Sequence, residues 1–187
     1  MELISQLDFG LINALQASRS EFLDGLMIIL TFLGSFALPW VIVSLRLLIK
    51  PGQRKYGFVI LLGMALAMLI GSATLKHIVM RDRPFNDPLG LLTVNDLIIP
   101  VPADRYSFPS GHALSSFAAA TGIFMWDKVG GLMAYILAAG IALSRVYLYV
   151  HFPSDILAGA LLGILCAAAA KWIVDKVEKM LIRHGLE

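Results

Sequence analysis

The chain consists mainly of long apolar stretches separated by shorter polar ones. An α-helix needs roughly 20 apolar residues to cross a bilayer. Stretches near or above that length cover residues 22–49, 57–79, 109–126, 132–149 and 153–173. We therefore predict an all-α integral membrane helical bundle of about five spans, forming one domain over residues 1–187.

The first 20 residues have a different pattern. Apolar side chains recur at helical spacing with polar residues between them. They are Leu3, Ile4, Leu7, Leu11 and Leu15. This pattern predicts an amphipathic helix over residues 1–20 that lies in the membrane interface. A short helix packed on the bundle is the alternative.

Small residues and a proline indicate where the helices bend or meet. Gly34 and Pro39 predict a kink within the first span. A stripe at spacing four, formed by Gly63, Ala67 and Gly71, predicts close helix contact in the second span. Gly159 and Gly163 predict a similar contact in the last span.

Composition supports a membrane class. Of 187 residues, 58% are hydrophobic and 15% are charged, whereas a soluble domain carries about 25% charged residues. The mean hydropathy is +0.80.

Cys166 is the single cysteine, so no disulfide forms within the chain. We expect a lipid bilayer as surroundings, no nucleic-acid partner and no cleavable signal peptide. The sequence does not indicate an oligomeric state.

The basic residues divide into two groups if there are five spans. One group falls at the helix ends that the positive-inside rule places in the cytoplasm. It comprises Arg46, Lys50, Arg54, Lys55, Lys128, Lys171, Lys176, Lys179 and Arg183. The other group falls at the opposite, outer end, where positive charge opposes the orientation signal. These outer basic residues therefore have a role other than setting the membrane orientation.

Three polar clusters occur at the outer ends of the predicted spans. The first runs from Lys76 to Arg83-Pro84, at the start of an outer loop over residues 80–108. The second is Pro109-Ser110-Gly111-His112, and the third is Ser144-Arg145 followed by His151 and Asp155. Ionised side chains are costly at mid-membrane, so we expect these groups near the aqueous boundary.

The chemistry of these clusters fits phosphoryl transfer. Lys76, Arg83 and Arg145 supply fixed positive charge for phosphate oxygens. Backbone N–H groups near Gly111, at a helix N-terminus, add neutral donors. Two histidines allow one to attack phosphorus and the other to donate a proton. The surplus of positive charge suits an anionic substrate and argues against a divalent metal site.

These residues resemble the signature of the type 2 phosphatidic acid phosphatase superfamily. That signature is Lys, six residues, Arg-Pro; then Pro-Ser-Gly-His; then Ser-Arg, five residues, His, three residues, Asp. Every position is filled between Lys76 and Asp155. Family members often have six spans, whereas we predict five and an N-terminal interfacial helix.

The resemblance implies a role for each signature residue. His151 would be the nucleophile that forms a phosphohistidine, oriented by Asp155, and His112 would be the general acid. The phosphate would be bound by Lys76, Arg83, Ser110, Gly111 and Arg145. The reaction would need no metal and no cofactor. Arg81, Asp82 and Arg105 are then either headgroup contacts or solvated side chains.

The substrate follows from a narrower resemblance. The segments Arg81-Asp82-Arg83-Pro84-Phe85 and Ala103-Asp104 are similar to the bacitracin-resistance type of undecaprenyl diphosphate phosphatases. This implies hydrolysis of undecaprenyl diphosphate at the outer face of the cell membrane. Phosphatidylglycerophosphate or phosphatidate is the alternative substrate. A non-catalytic lipid binder or transporter, and a soluble vanadate-dependent haloperoxidase with the same triad, are the alternative classes.

Overall fold

A computed structural model describes residues 2–184, with the side chain of Glu2 left out. Met1, within the predicted interfacial helix, and residues 185–187, at the end of the amphipathic tail, lie outside the described residues. Within the described part the chain is helical and has no strand. The helices are α1 (Glu2–Ala17), α2 (Glu21–Gly34), α3 (Leu38–Ile49), α4 (Arg54–Ala67), α5 (Lys76–Val79), α6 (Gly111–Trp126), α7 (Lys128–Tyr147) and α8 (Pro153–Arg183).

Four helical stretches are long and apolar enough to cross a membrane: Glu21–Ile49, Arg54–Asn86, Lys128–Tyr147 and Pro153–Arg183. The predicted span over 109–126 corresponds to α6, which is 16 residues long and lies among the others. Helices α4, α7 and α8 all pack against α6. The all-α membrane class predicted from the sequence is therefore confirmed.

Several helix ends differ from the predicted spans. Helix α7 begins at Lys128 rather than 132, because the side chain of Asp127 caps it by accepting hydrogen bonds from the backbone N–H groups of Val129 and Gly130. Helix α8 continues beyond the apolar span to Arg183, through the tail whose sequence, with apolar residues on one face and lysines on the other, predicts an amphipathic continuation. In its last turns Lys55 of α4 forms ion pairs of 2.7 and 2.5 Å with Asp175 and Glu178.

Small residues let α6 sit at the centre of the bundle. Ala118, Ala119 and Ala120 are fully buried. A Cβ added at Gly163 of α8 would lie 2.5 Å from the carbonyl oxygen of Leu114 and 3.0 Å from the backbone nitrogen of Ala118. The α8 backbone therefore lies directly on α6, as the glycine pair of the last span predicts.

The kink predicted in the first span occurs between α2 and α3. Helix α2 ends at Gly34, and α3 begins at Leu38 with Pro39 in its first turn. Between them Phe36 and Ala37 have φ of 55° and 53°, a left-handed conformation that costs roughly 1–2 kcal/mol for each residue with a Cβ. The break lies beside His112, since a Cβ added at Gly34 would lie 2.7 Å from its Cδ2.

Helix α1 packs across the last turn of α7 and the first turn of α8. Its polar side chains reach the bundle: the Gln16 amide donates to the Tyr147 carbonyl at 2.7 Å, and Asn13 Oδ1 accepts from the Tyr149 hydroxyl at 3.2 Å. Leu3, Leu7 and Leu11 are exposed on the opposite side. Helix α1 is therefore packed on the bundle, as the alternative interpretation of its sequence predicts. It also has the exposed apolar stripe that predicts a position in the membrane interface.

Candidate active site

The three clusters meet at one end of the bundle, around one cavity of about 960 Å³. Its polar wall is formed by Lys76, Arg83, Asp104, His112, Arg145 and His151. Gly111 also lines the cavity, whereas Ser110 and Asp155 do not. Widely separated segments of the sequence therefore bring both histidines and all three expected cations to one space.

Two left-handed residues turn the chain so that the clusters face the cavity. Met80, with φ of 49°, ends α5 directly after Lys76–Val79 and redirects the backbone toward Arg83. Tyr149, with φ of 61°, lies two residues before His151. The backbone N–H groups of Val150 and His151 both donate to the Arg145 carbonyl at 3.2 Å, which fixes the turn between α7 and α8.

Arg83 is the most enclosed of the three cations, with 2% of its surface exposed. Its Nε donates to the Asp104 carbonyl at 2.9 Å, and its Nη1 donates to the Val150 carbonyl at 2.7 Å. The same Nη1 lies 3.3 Å from Nε2 of His151. A cation is thereby held rigidly beside the imidazole.

Lys76 and Arg145 complete the positive wall. Lys76 Nζ lies 2.9 Å from Oδ2 of Asp104, whose carboxylate is largely exposed. This pairing holds the pKa of Asp104 below its ordinary value. Arg145 donates through Nη1 to the Thr31 hydroxyl of α2. Asp104 is the single carboxylate among the residues that line the cavity, so positive charge is in excess there.

His151 is 2% exposed and directs its two ring nitrogens to different partners. Nε2 faces Arg83, and Nδ1 lies 3.5 Å from Oδ2 of Asp155. An arginine can only donate, so this arrangement favours the tautomer with the proton on Nδ1 and the lone pair on Nε2, directed toward Arg83. Burial, followed by the charges of Arg83, Arg145 and Lys76, lowers the pKa of His151 well below its ordinary value.

Several buried polar atoms around the cavity have no hydrogen-bond partner among the described residues. They include Ser110 Oγ, His112 Nε2 and Arg145 Nε. Buried polar groups are normally paired, because leaving one unpaired costs roughly 1–3 kcal/mol. The three atoms belong to the second and third clusters, which is the arrangement expected where a polyanionic group binds.

Pro109 in the sequence suggests a helix that begins there with Ser107 as its N-cap, but the structure places the helix start later. Helix α6 begins at Gly111, and Ser110 is its N-cap residue without a side-chain capping bond. Ser107 instead donates from its backbone N–H to the Arg81 carbonyl at 2.8 Å. The positive end of the α6 dipole still faces the cavity, since Gly111 and His112 line it.

Among the described residues, no group of three or more His, Cys, Asp or Glu side chains could hold a metal ion. Metal independence stays a prediction. Arg105 and Asp82 form an exposed pair at 3.6 Å and do not line the cavity.

Most of the remaining wall of the cavity is apolar, apart from the hydroxyl side chains of Thr31, Ser35, Ser72 and Ser115. It includes Phe32, Phe36, Val41, Met64 and Met68. Phe32 and Phe36 are 74% and 98% exposed. The space therefore has a cationic end that carries the histidines and an apolar side formed by α2, the break before α3, α3 itself, and the region around the end of α4. This combination suits an amphiphilic molecule.

Long apolar helices around a cavity lined by cations and histidines are the features of a multi-pass membrane phosphatase. The model of the PAP2 superfamily matches residues 56–179. The chain belongs to the PAP2 superfamily and is a lipid phosphatase of that family, which confirms the resemblance carried by its three clusters.

Comparison with individual proteins supports the same assignment. An undecaprenyl-diphosphatase of Sulfolobus acidocaldarius is 35% identical over 92% of this chain and 82% of its own length. The putative undecaprenyl-diphosphatase YbjG of Escherichia coli is 33% identical over 72% of this chain and 65% of its own. The crystal structure of a transmembrane PAP2-type phosphatidylglycerolphosphate phosphatase from Bacillus subtilis is similar to this chain with a TM-score of 0.73 at 26% identity, covering 95% of this chain and 89% of that one.

Proposed function

We propose that this protein hydrolyses undecaprenyl diphosphate to undecaprenyl phosphate through a phosphohistidine on His151, at the outer face of the cell membrane. The observation that carries the mechanism is the shared cavity, in which both histidines and three cations meet an apolar wall. The names of the two curated relatives support the diphosphate substrate.

In the first step, the lone pair on Nε2 of His151 attacks the terminal phosphorus. The bond between that phosphorus and the bridging oxygen breaks, and the oxygen leaves as undecaprenyl phosphate with a proton from His112. Lys76, Arg83 and Arg145 stabilise the charge on the three equatorial oxygens. Asp155 holds the Nδ1 proton of His151, which stabilises the positive charge that develops on the ring.

In the second step, water attacks the phosphohistidine and the P–N bond breaks. His112, now neutral, takes a proton from the water, so that inorganic phosphate leaves and both histidines return to their starting state. Ser110 and the N–H groups at the start of α6 are the neutral donors for the same oxygens.

The outer orientation is supported by the two groups of basic residues. The helix ends remote from the cavity carry the majority of the lysines, which the positive-inside rule places in the cytoplasm. Single cysteines at exposed positions would test this in a Cys166→Ser background, because Cys166 is buried. Asn95→Cys in the outer loop reacts with an impermeant maleimide on intact cells, whereas Lys50→Cys reacts only after lysis. The reverse result would contradict the orientation.

The substrate is tested with purified protein in detergent. Phosphate release is measured from undecaprenyl diphosphate and from phosphatidylglycerophosphate, each with wild type and His151→Ala. We expect faster turnover of the diphosphate and none by the variant. Phosphatidylglycerophosphate is the second candidate, because the structural relative from Bacillus subtilis acts on it by name. Exclusive turnover of the glycerol lipid would refute our choice.

A further inference from the structure

Arg81 does not line the cavity, yet its guanidinium contacts two carboxylates and one hydroxyl group. Its Nη1 donates to Oδ1 of Asp155 at 2.9 Å and to the Ser154 hydroxyl at 2.6 Å. Its Nη2 donates to Oδ2 of Asp8 at 2.7 Å. The guanidinium also lies over the ring of Phe152, 3.9 Å from the centroid. Arg81 is therefore neither a headgroup contact nor a solvated side chain.

Asp8 comes from α1 and is 3% exposed. Its Oδ1 accepts from the Ser154 backbone N–H at 2.9 Å, and its Oδ2 accepts from the Ser154 hydroxyl at 2.5 Å. With Arg81, these bonds attach the middle of α1 to the first turn of α8. That turn carries Asp155, so α1 is joined to the residue that orients His151.

Each oxygen of the Asp155 carboxylate has a distinct set of partners. Oδ1 accepts from Arg81, and Oδ2 accepts from the Phe152 backbone N–H at 2.9 Å and faces Nδ1 of His151 at 3.5 Å. Asp155 is fully buried. Without Arg81, two buried carboxylates would share one polar pocket, and like charges at short range repel strongly in a low-dielectric site.

We propose that Arg81, held by Asp8, is a positioning residue that fixes the Asp155 carboxylate and through it the His151 ring. The N-terminal helix is then part of the catalytic apparatus, although Asp8 lies outside the segment 56–179 that the family model matches. The inference rests on the proposed role of His151 as nucleophile.

The test compares kcat and KM of purified variants on undecaprenyl diphosphate. Arg81→Gln should lower kcat by about 10- to 100-fold, because a displacement near 1 Å costs about that much. KM should stay within about threefold, since Arg81 does not line the cavity. Arg81→Lys keeps the charge without the fork and should recover part of kcat.

Asp8→Asn removes the anchor of Arg81 and should lower kcat by a smaller factor. Because Asp8 holds Arg81, the loss of kcat in the double variant should be smaller than the product of the two single losses. Multiplied losses in the double variant would overturn the proposal, as would a change of KM without a change of kcat. If Arg81→Gln does not fold, the single variants Arg81→Lys and Asp8→Asn still decide the question through their kcat and KM.

Arg19→Gln is the matched control. Arg19 forms a two-bond ion pair with Asp24 at 3.1 and 3.0 Å, near the same end of the bundle and without contact to Asp155. This variant should retain the wild-type kcat. His151→Ala, assayed alongside, separates the two proposals: turnover by His151→Ala refutes the mechanism, whereas an inactive His151→Ala with full kcat in Arg81→Gln refutes only the positioning role.

Discussion

Gly159→Ala probes how tightly the contact between α6 and α8 sets the site. An added Cβ would lie 2.9 Å from the Ser110 carbonyl oxygen and 3.0 Å from Cβ of Ala113, whereas ordinary contact begins at 3.4 Å. The two helices must therefore separate by about 0.5 Å, because a backbone oxygen cannot rotate away as a flexible side chain can. Ser110 and His112 would move with α6, and Asp155 with α8.

This separation predicts a loss of stability and a loss of rate. Overpacking of this kind costs about 1–3 kcal/mol of stability. If a displacement of 1 Å costs about 100-fold in rate, half of it costs about tenfold in kcat. The assay is phosphate release in detergent, with thermal unfolding measured on the same samples.

Gly25→Ala is the matched control for this substitution. Gly25 lies within α2, and nothing would lie within 4 Å of its added Cβ. Alanine is favoured over glycine inside a helix by about 0.5–1 kcal/mol. This variant should retain full kcat and unfold at the same or a higher temperature. Wild-type kcat and stability in Gly159→Ala would refute the reasoning.

Three further predictions concern the chemistry. First, the lowered pKa of His151 keeps its ring neutral as pH falls, so kcat/KM, corrected for ionisation of the substrate, should not decline when the pH is lowered through about 6.5, the ordinary pKa of histidine; a half-loss on lowering the pH through that value would contradict this. Second, Asp104→Asn releases Lys76 from a partly exposed ion pair and should lower KM about two- to fivefold; a raised KM in the same titration would show that Asp104 aids binding. Third, excess EDTA should leave phosphate release unchanged, and inactivation reversed by added metal would contradict a metal-free reaction.

Much of the fold could be predicted because membrane helices have a strong local signal. The break between α2 and α3 is indicated by Gly34 and Pro39, and the contact at Gly163 follows from the absence of a Cβ. The contact of the α8 tail with α4 could not be predicted in this way, since Lys55 is distant in sequence from Asp175 and Glu178.

The cavity residues could be predicted from their spacing and charge, but their surroundings could not. The pairing of Arg81 with Asp8 and Asp155 depends on how α1 docks on α8, and no local pattern indicates it. Asp8 sits among polar residues of an amphipathic helix, where a carboxylate is normally solvated. The contact of Thr31 with Arg145 also joins two distant helices.

The most direct test of the central claim is to trap the covalent intermediate. Undecaprenyl diphosphate labelled in its terminal phosphate is mixed with enzyme and quenched in alkali within one turnover, because a phosphohistidine survives alkali and is lost in acid. The account predicts label on the peptide that carries His151, and none in His151→Ala. Label on another residue, or rapid turnover without any labelled enzyme, would contradict it.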